Sequence, residues 1–340
     1  MSPPSQTYRP YLEPHQSPAG PGDARPTATQ VIKDLGLEGK LGNKTILITG
    51  GSAGLGVQTA RALYLAGAKI YITVRGEQKG QKAIKAITKD APEGQAVELV
   101  QMDLGDLDSV RAAAKDFMTR SNRLDILINN AGVMNVPKGK TVSGFETHMG
   151  SNHFGHFLLF QLLKPVLLSS STPTHTSRVV TLSSYGHTFS PIRFDDIGFE
   201  DSEYNPWAAY GQSKTANIYM ANSIDRLYGS QGLHAVSVHP GVIIDTELLR
   251  HSTKDAFDEF GGEDVFGNLP KSPEQGAATT VWAALTPHFS DKSGVYCADC
   301  GESVKAGDNA PIGGPEYVNH TYDEEAEDRL WELSCKAVGV

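Results

Sequence analysis

Tyr210 and Lys214 stand four residues apart in the stretch AAYGQSKTANIYM, which is compatible with a helix. That spacing puts the two side chains on one face, one above the other. A free phenol titrates near 10, too high for easy proton exchange at neutral pH, and a neighbouring ammonium favours the phenolate. Lowering the phenol by about three pKa units takes roughly 4 kcal/mol of preferential interaction. Such a pair could move a proton to or from a substrate oxygen. Ser184, just past the strand-like run Val179–Leu182, could donate a hydrogen bond to a carbonyl oxygen as charge develops on it. Ser183 is its rival. An isolated tyrosine–lysine pair is common on helices, so its meaning depends on the elements that surround it.

The first of those elements is TILITGGSAGLG, Thr45–Gly56, where the apolar residues Ile46, Leu47 and Ile48 run into four glycines within seven positions. A glycine-rich turn between a strand and a helix lets a phosphate approach the backbone, with the free N–H groups of the helix N-terminus facing it. Side chains at Gly50, Gly54 or Gly56 would obstruct the turn or that approach. Together with Ser52 and Leu55, these residues are the expected phosphate cradle of a dinucleotide.

Further along the chain, short apolar runs alternate with helical patterns. Strands are expected at Thr45–Thr49, Ile70–Val74, Ala96–Met102, Ile126–Ile128, Val179–Leu182 and His234–Val238, with helices over Val57–Ala66, Lys79–Thr88 and Ser109–Met118. Fully apolar strands alternating with helices imply an α/β protein: one doubly wound (Rossmann) domain with a central parallel sheet and helices on both faces. This domain is expected over residues 41–320, with substrate loops at 186–208 and 247–270. Residues 321–340 should form a helical cap, with a short helix over Asp323–Val338. Residues 1–40 begin with seven of the chain's 19 prolines in the first 30 positions and read as an extended or disordered arm.

Other residues fall at the carboxyl ends of these strands, where ligands of such sheets collect. Asp103 could accept from an adenine amino group, with Leu104 continuing the contact, or Asp103 could cap the helix that begins near Leu107. Asn130, Ala131 and Gly132 leave room for a ribose. The second strand ends in Val74–Arg75, where an acid would hold a free ribose 2′-hydroxyl. A guanidinium there instead suits a 2′-phosphate, so NADP(H) is the expected cofactor; a solvated surface arginine is the plainer reading. His148, His153 and His156 lack a paired carboxylate or cysteine ligand, and Cys297–Cys300 is a single C-x-x-C, so no metal is expected.

The 340 residues carry 39 acidic and 30 basic side chains, a net charge of −9, with no basic cluster suited to nucleic acid. No run of 18 apolar residues exists, and the N-terminus lacks a signal-peptide pattern. The three cysteines are too few for a disulfide framework, which points to a reducing compartment, the cytoplasm.

These motifs occur in a telling order: TGxxxGxG at Thr49–Gly56, Asp103–Leu104, NNAG at Asn129–Gly132, NHFGHF at Asn152–Phe157, TLSS ending at Ser184, YGQSK at Tyr210–Lys214 and HPG at His239–Gly241. Over about residues 42–305 the chain resembles the short-chain dehydrogenase/reductase family, compact type. NHFGHF, SSYGH and PEQGA are similar to its retinol-dehydrogenase-like branch. The resemblance implies that Ser184, not Ser183, faces the substrate. It implies that Asn152 holds a water relaying protons to Lys214, that Lys214 also holds the nicotinamide ribose, and that a long loop precedes Tyr210. It usually places Thr or Ser four residues past the HPG glycine to bind the carboxamide. Here Asp245 stands there and Thr246 comes one later, so Thr246, Asp245 or the backbone of Ile243 could serve. The expected activity is NADP(H)-dependent reduction of a carbonyl on a medium-to-large apolar or aromatic molecule. An NAD-dependent alcohol dehydrogenase and a non-redox dinucleotide-binding scaffold or template protein are the alternatives. A small-molecule carbonyl or alcohol is the expected partner, and a homodimer the assembly considered.

Overall fold

The strands β1 (Thr45–Ile48), β2 (Lys69–Val74) and β4 (Ile126–Asn129) are buried on both faces, which is why they read as unbroken apolar runs. In the computed structural model, which describes residues 7–89, 91, 96–246, 248, 265–291, 293–308 and 310–340, they form the centre of an eight-stranded sheet. The others are β3 (Val97–Gln101), β5 (Ser177–Leu182), β6 (Leu233–His239), β7 (Tyr296–Ala298) and β8 (Gly301–Glu302). The order is β3-β2-β1-β4-β5-β6-β7-β8, parallel except for β8. The doubly wound α/β fold expected from the alternation is therefore present.

Successive residues of each strand serve opposite cores. Ile46, Ile48, Ile70 and Ile72 pack with the helices α3 (Gly54–Leu65), α4 (Glu77–Ile87) and a later helix, Ala278–Leu285. Leu47 and Tyr71 pack on the other face, with α5 (Leu107–Arg120), α6 (Gly155–Ser170) and α7 (Pro206–Tyr228). Because β1 pairs with β2 on one side and β4 on the other, the chain reverses direction of winding there and opens a crevice at the strands' carboxyl ends.

The expected cap is present as a helix at Glu324–Val338, started by Asp323, whose side chain accepts from Ala326 N at 3.1 Å. Leu330 and Val338 join the second core. The C-x-x-C residues lie in the β7–β8 hairpin, with Asp299 and Cys300 both at φ +53° in its two-residue turn; both cysteines are buried.

The N-terminal arm is a correction. Residues 1–6 lie outside the described residues, but 7–40 are neither extended nor free. They contain two helices, α1 (Leu12–His15) and α2 (Ala28–Asp34). Ala28, Val31 and Ile32 enter the first core, and Tyr8 pairs with the exposed edge of the sheet, its carbonyl accepting from Glu302 N at 2.9 Å. Proline content misleads here because a chain whose turns are set by proline and glycine still orders when it covers a sheet edge and buries an apolar face.

Candidate active site

Tyr210 and Lys214 lie one turn apart on α7, which starts with Asn205 as its cap and Pro206 in its first turn. Both are buried. The ring of Tyr210 lies where any side chain at Gly186 would be: a Cβ there would come within 2.5 Å of its Cε1. The helix is stitched to β5 by Ser183, whose hydroxyl donates to Lys214 O at 2.9 Å, and by Thr181, which donates to Asn217 O at 3.0 Å. Ser183 thus holds the backbone.

Ser184 shares this position with Tyr210: the same Gly186 Cβ would lie 3.4 Å from Ser184 Oγ. Its Oγ also accepts from Gly186 N at 3.0 Å. That bond occupies an acceptor site and leaves the hydroxyl hydrogen to be donated.

Lys214 Nζ lies 5.5 Å from the Tyr210 ring centroid and donates to Leu182 O at 3.0 Å. The expected lowering of the phenol draws on Lys214 and a positively charged nicotinamide together; burial among the protein's own residues works against it. Burial pushes Tyr210 up to about 12, opposed only by the Ser184 hydroxyl. Burial likewise pushes Lys214 down to about 8. Desolvation disfavours the charged form of each.

Asn152 sits on a π-helical turn, Met149–Phe154, that opens the helix leading into α6. Its side chain is committed: Oδ1 accepts from Val133 N at 2.8 Å, while Nδ2 donates to Val133 O at 3.0 Å and Ser213 Oγ at 2.9 Å. Ser213 in turn donates to Tyr210 O at 2.7 Å. Asn152 therefore ties the loop after β4 to α7.

A second network escaped the sequence reading. Asn152 O accepts from His156 Nδ1 at 2.8 Å, and His156 Nε2 pairs with Thr49 Oγ1 at 2.7 Å. Thr49 Oγ1 accepts from Asn130 N and Ala131 N at 2.9 and 3.0 Å. Burial pushes His156 down to about 4, so it stays neutral, donating from one nitrogen and accepting at the other. Of the three histidines, His148 does have a carboxylate beside it, a partner the spacing did not show: Glu146 at 2.9 Å; His153 pairs with Ser334 at 2.8 Å. A signal was available for His156, since a histidine on an apolar helix face opposite a strand-ending threonine needs a partner.

The remaining site residues converge on one cleft. Gly50, Ser52, Gly54, Leu55 and Gly56 line it with Arg75, Asp103 and Leu104. Asn130, Ala131, Gly132, Ser184, Tyr210, Lys214, Ile243 and Thr246 line it too, and Ile243 and Thr246 lie close to the glycine turn. Of the predicted site residues, Asn152 alone stands behind the wall. Asp245 is exposed and Thr246 half-buried against the cleft. Asp103 is not the cap of α5; Asp106 is, accepting from Asp108 N at 3.0 Å, while Asp103 accepts from Gly105 N at 2.9 Å.

The glycines explain themselves geometrically. A Cβ at Gly56 would lie 2.4 Å from Gly50 O, and one at Gly50 would lie 2.8 Å from Ala131 Cβ. Gly54, at φ +50°, would instead point its Cβ at Thr246 across the cleft. No side chain caps the N-terminus of α3, so its backbone N–H groups are left for an anion. The residues present thus fit a dinucleotide.

Of the five aromatics in loop 186–208, Phe189 and Trp207 line the cleft with Tyr185, edge to face at 6.0 and 5.7 Å. Phe194, Phe199 and Tyr204 pack the loop: Phe194 under Arg329, Phe199 against Tyr204, whose hydroxyl donates to Glu146 at 3.1 Å. The second expected loop, 247–270, lies largely outside the described residues; Leu248 and Phe266 line the cleft.

A parallel sheet with a glycine turn at its crevice and a Ser–Tyr–Lys set beside it defines a nicotinamide-dependent oxidoreductase fold. The family model described as short chain dehydrogenase matches residues 44–256. The chain is 45% identical over 323 residues to the short-chain dehydrogenase/reductase prx1 of Penicillium roqueforti, covering 94% of this chain and 92% of that one. It is 36% identical to human retinol dehydrogenase 12, covering 88% of each. A crystal structure of an uncharacterised protein from Mycobacterium paratuberculosis superposes with a TM-score of 0.66 at 33% identity, covering 88% of this chain and 95% of that one. The protein belongs to the short-chain dehydrogenase/reductase family, in its retinol-dehydrogenase-like branch, and is an oxidoreductase that uses a nicotinamide dinucleotide. Among the described residues, no helix is long and apolar enough to cross a membrane.

Proposed function

We propose that this enzyme reduces the carbonyl of a medium-to-large apolar or aromatic molecule, using NADPH. The observation that carries the reading is that Ser184, Tyr210 and Lys214 line the same cleft as the glycine turn, with Tyr210 and Ser184 flanking Gly186. A bound nicotinamide would supply the hydride. Tyr210 gives its proton to the substrate oxygen, and Ser184 donates a hydrogen bond to that oxygen as charge grows on it. Lys214, when charged, holds the ribose and stabilises the phenolate left behind. Asn152 positions α7 through Ser213 and, by the family's pattern, the proton-relaying water. Substrate class follows from the wall: Tyr185, Phe189, Trp207 and Phe266 offer ring faces. The three cysteines are unpaired, which suits the reducing cytoplasm proposed for it.

The NADPH assignment rests on Arg75, exposed at the end of β2 and on the cleft wall. It is tested by following NADPH and NADH absorbance with a panel of aromatic and aliphatic carbonyls, for wild type and Arg75→Ala. Loss of one charge-assisted contact is expected to raise the KM for NADPH about tenfold and leave that for NADH unmoved. Preference for NADH, unaltered by the substitution, would refute the assignment; no turnover with any carbonyl would refute the activity.

A pH profile tests the roles of the pair. Reduction requires Lys214 charged and Tyr210 protonated, so kcat/KM should be flat at low pH and fall above about 8 as Lys214 loses its proton. In Lys214→Arg, whose charge persists, that limb should move upward. A wild-type profile level to pH 10 would remove Lys214 from this role.

A further inference from the structure

The arm that covers the sheet edge goes on to the back of the active-site cleft. There it places a buried guanidinium, Arg25, 4% exposed, against main-chain carbonyls rather than a solvated surface. Nη1 donates to Leu269 O at 2.6 Å; Nη2 donates to Pro270 O at 2.7 Å and Gly20 O at 3.1 Å. Nε donates to Asp23 at 2.8 Å. Gln275 completes the knot: Nε2 donates to Arg25 O at 3.0 Å, and Oε1 accepts from Gly22 N at 2.9 Å. A buried guanidinium is costly unless its donors are satisfied, and a fork that spans two adjacent carbonyls is a geometry lysine cannot copy.

The residue that follows those carbonyls connects them to the cleft. Lys271 N donates to Val242 O at 2.8 Å. Its side chain runs beneath Gly241, at φ +96°, where a Cβ would lie 2.8 Å from Lys271 Cδ, and its ammonium pairs with Asp299 at 2.7 Å. Val242, Ile243, Ile244 and Thr246 line the cleft, with Ile243 and Thr246 close to the glycine turn. One peptide strand therefore has Arg25 on its outer side and the HPG turn on its inner side.

We infer that Arg25 is a positioning residue for the active site: by gripping Leu269 and Pro270 it holds the Gly241–Thr246 turn at the height where the carboxamide end of the dinucleotide docks. The inference rests on the cofactor reading above. The arm is then part of the binding apparatus as well as a cover for the sheet edge, and its loss acts on affinity more than on chemistry.

The test compares full-length wild type, Arg25→Lys and Arg25→Ala by hydrogen–deuterium exchange, NADPH fluorescence titration and steady-state kinetics. In Arg25→Lys, exchange in the 241–246 segment should quicken about tenfold while α7 is unchanged. The NADPH Kd and KM should rise about tenfold with kcat within about twofold. If Arg25→Ala does not fold, Arg25→Lys decides by exchange and Kd together. A lowered melting temperature with unchanged exchange at 241–246 and unchanged Kd would overturn the inference and leave Arg25 as arm glue. Exchange is read without turnover, so a protein inactive on every carbonyl would count against the proposed reaction while still deciding the role of Arg25.

Discussion

Tyr210→Phe should lower kcat/KM for carbonyl reduction by about a thousandfold, within the range of 10² to 10⁴ typical for a positioned general acid. The substitution keeps the ring that fills the space beside Gly186 and removes only the hydroxyl. Ser184 stays in place through Gly186 N, and Lys214 keeps its bond to Leu182 O. Tyr210 is also an expected cofactor-binding residue; if its hydroxyl serves the reacting oxygen alone, cofactor affinity should change by no more than about twofold. Single-turnover kinetics with NADPH, set beside a fluorescence titration, separates the two. A variant that retains a tenth or more of wild-type kcat/KM would sink the assignment of Tyr210 as proton donor. It would favour a reaction in which water supplies the proton.

The second large effect is on stability and lies at the opposite end of the strands. Asp125, fully buried just before β4, accepts from Thr45 N at 2.8 Å and from Arg123 through both carboxylate oxygens, at 2.8 and 2.6 Å. Lys44 and His175 stand 3.5 and 3.2 Å away. Its main chain joins β1 and β5: Asp125 N donates to Thr45 O, and Arg178 N donates to Asp125 O, each at 2.9 Å. Burial alone would raise this carboxyl, but hydrogen bonds from Arg123 and Thr45 N, the nearby His175 ring and the charge of Lys44 hold it well below the usual range. Asp125→Ala leaves those cations and a strand N–H without their partner and should cost about 3–5 kcal/mol. The pH dependence has a definite sign. A carboxyl depressed in the folded state contributes fully above its unfolded value, about 4, and that contribution is lost as pH falls through the folded value. Urea midpoints of wild type and variant should differ most at pH 6–8 and converge on acidification below 4. A gap under 1 kcal/mol, or one independent of pH, would show that the cluster is solvated. Cofactor affinity of the folded fraction should be unchanged, since the cleft is at the carboxyl ends of the strands.

The parts of the protein that could be read directly from the residues are those written in local pattern. Ile46–Ile48 followed by Gly50, Gly54 and Gly56 announces a strand, a turn that only glycine can make and a helix, and the structure confirms the steric reason at 2.4 Å. The Asp323 cap and the four-residue step from Tyr210 to Lys214 are likewise local, as is the apolar alternation that yields the sheet. What stayed hidden depends on contacts between distant segments. The order of the arm is invisible to composition, which records the absence of a local apolar run, whereas Ala28, Val31 and Ile32 find their partners more than 200 residues away on Ala278–Leu285. The loop aromatics were equally ambiguous. Phe189 and Trp207 face the cleft and Phe199 does not, a division set by the backbone path of the loop and not by residue type.

The sequence by itself determined which groups could do chemistry and roughly where the backbone must yield to a phosphate, because helix spacing and glycine sterics act over a few residues. The protonation of those groups was decided only in three dimensions. Tyr210 is held up and Lys214 down by the low-dielectric interior that α7, β5 and the Tyr185–Phe189 turn build around them, and burial is a property of the assembled chain.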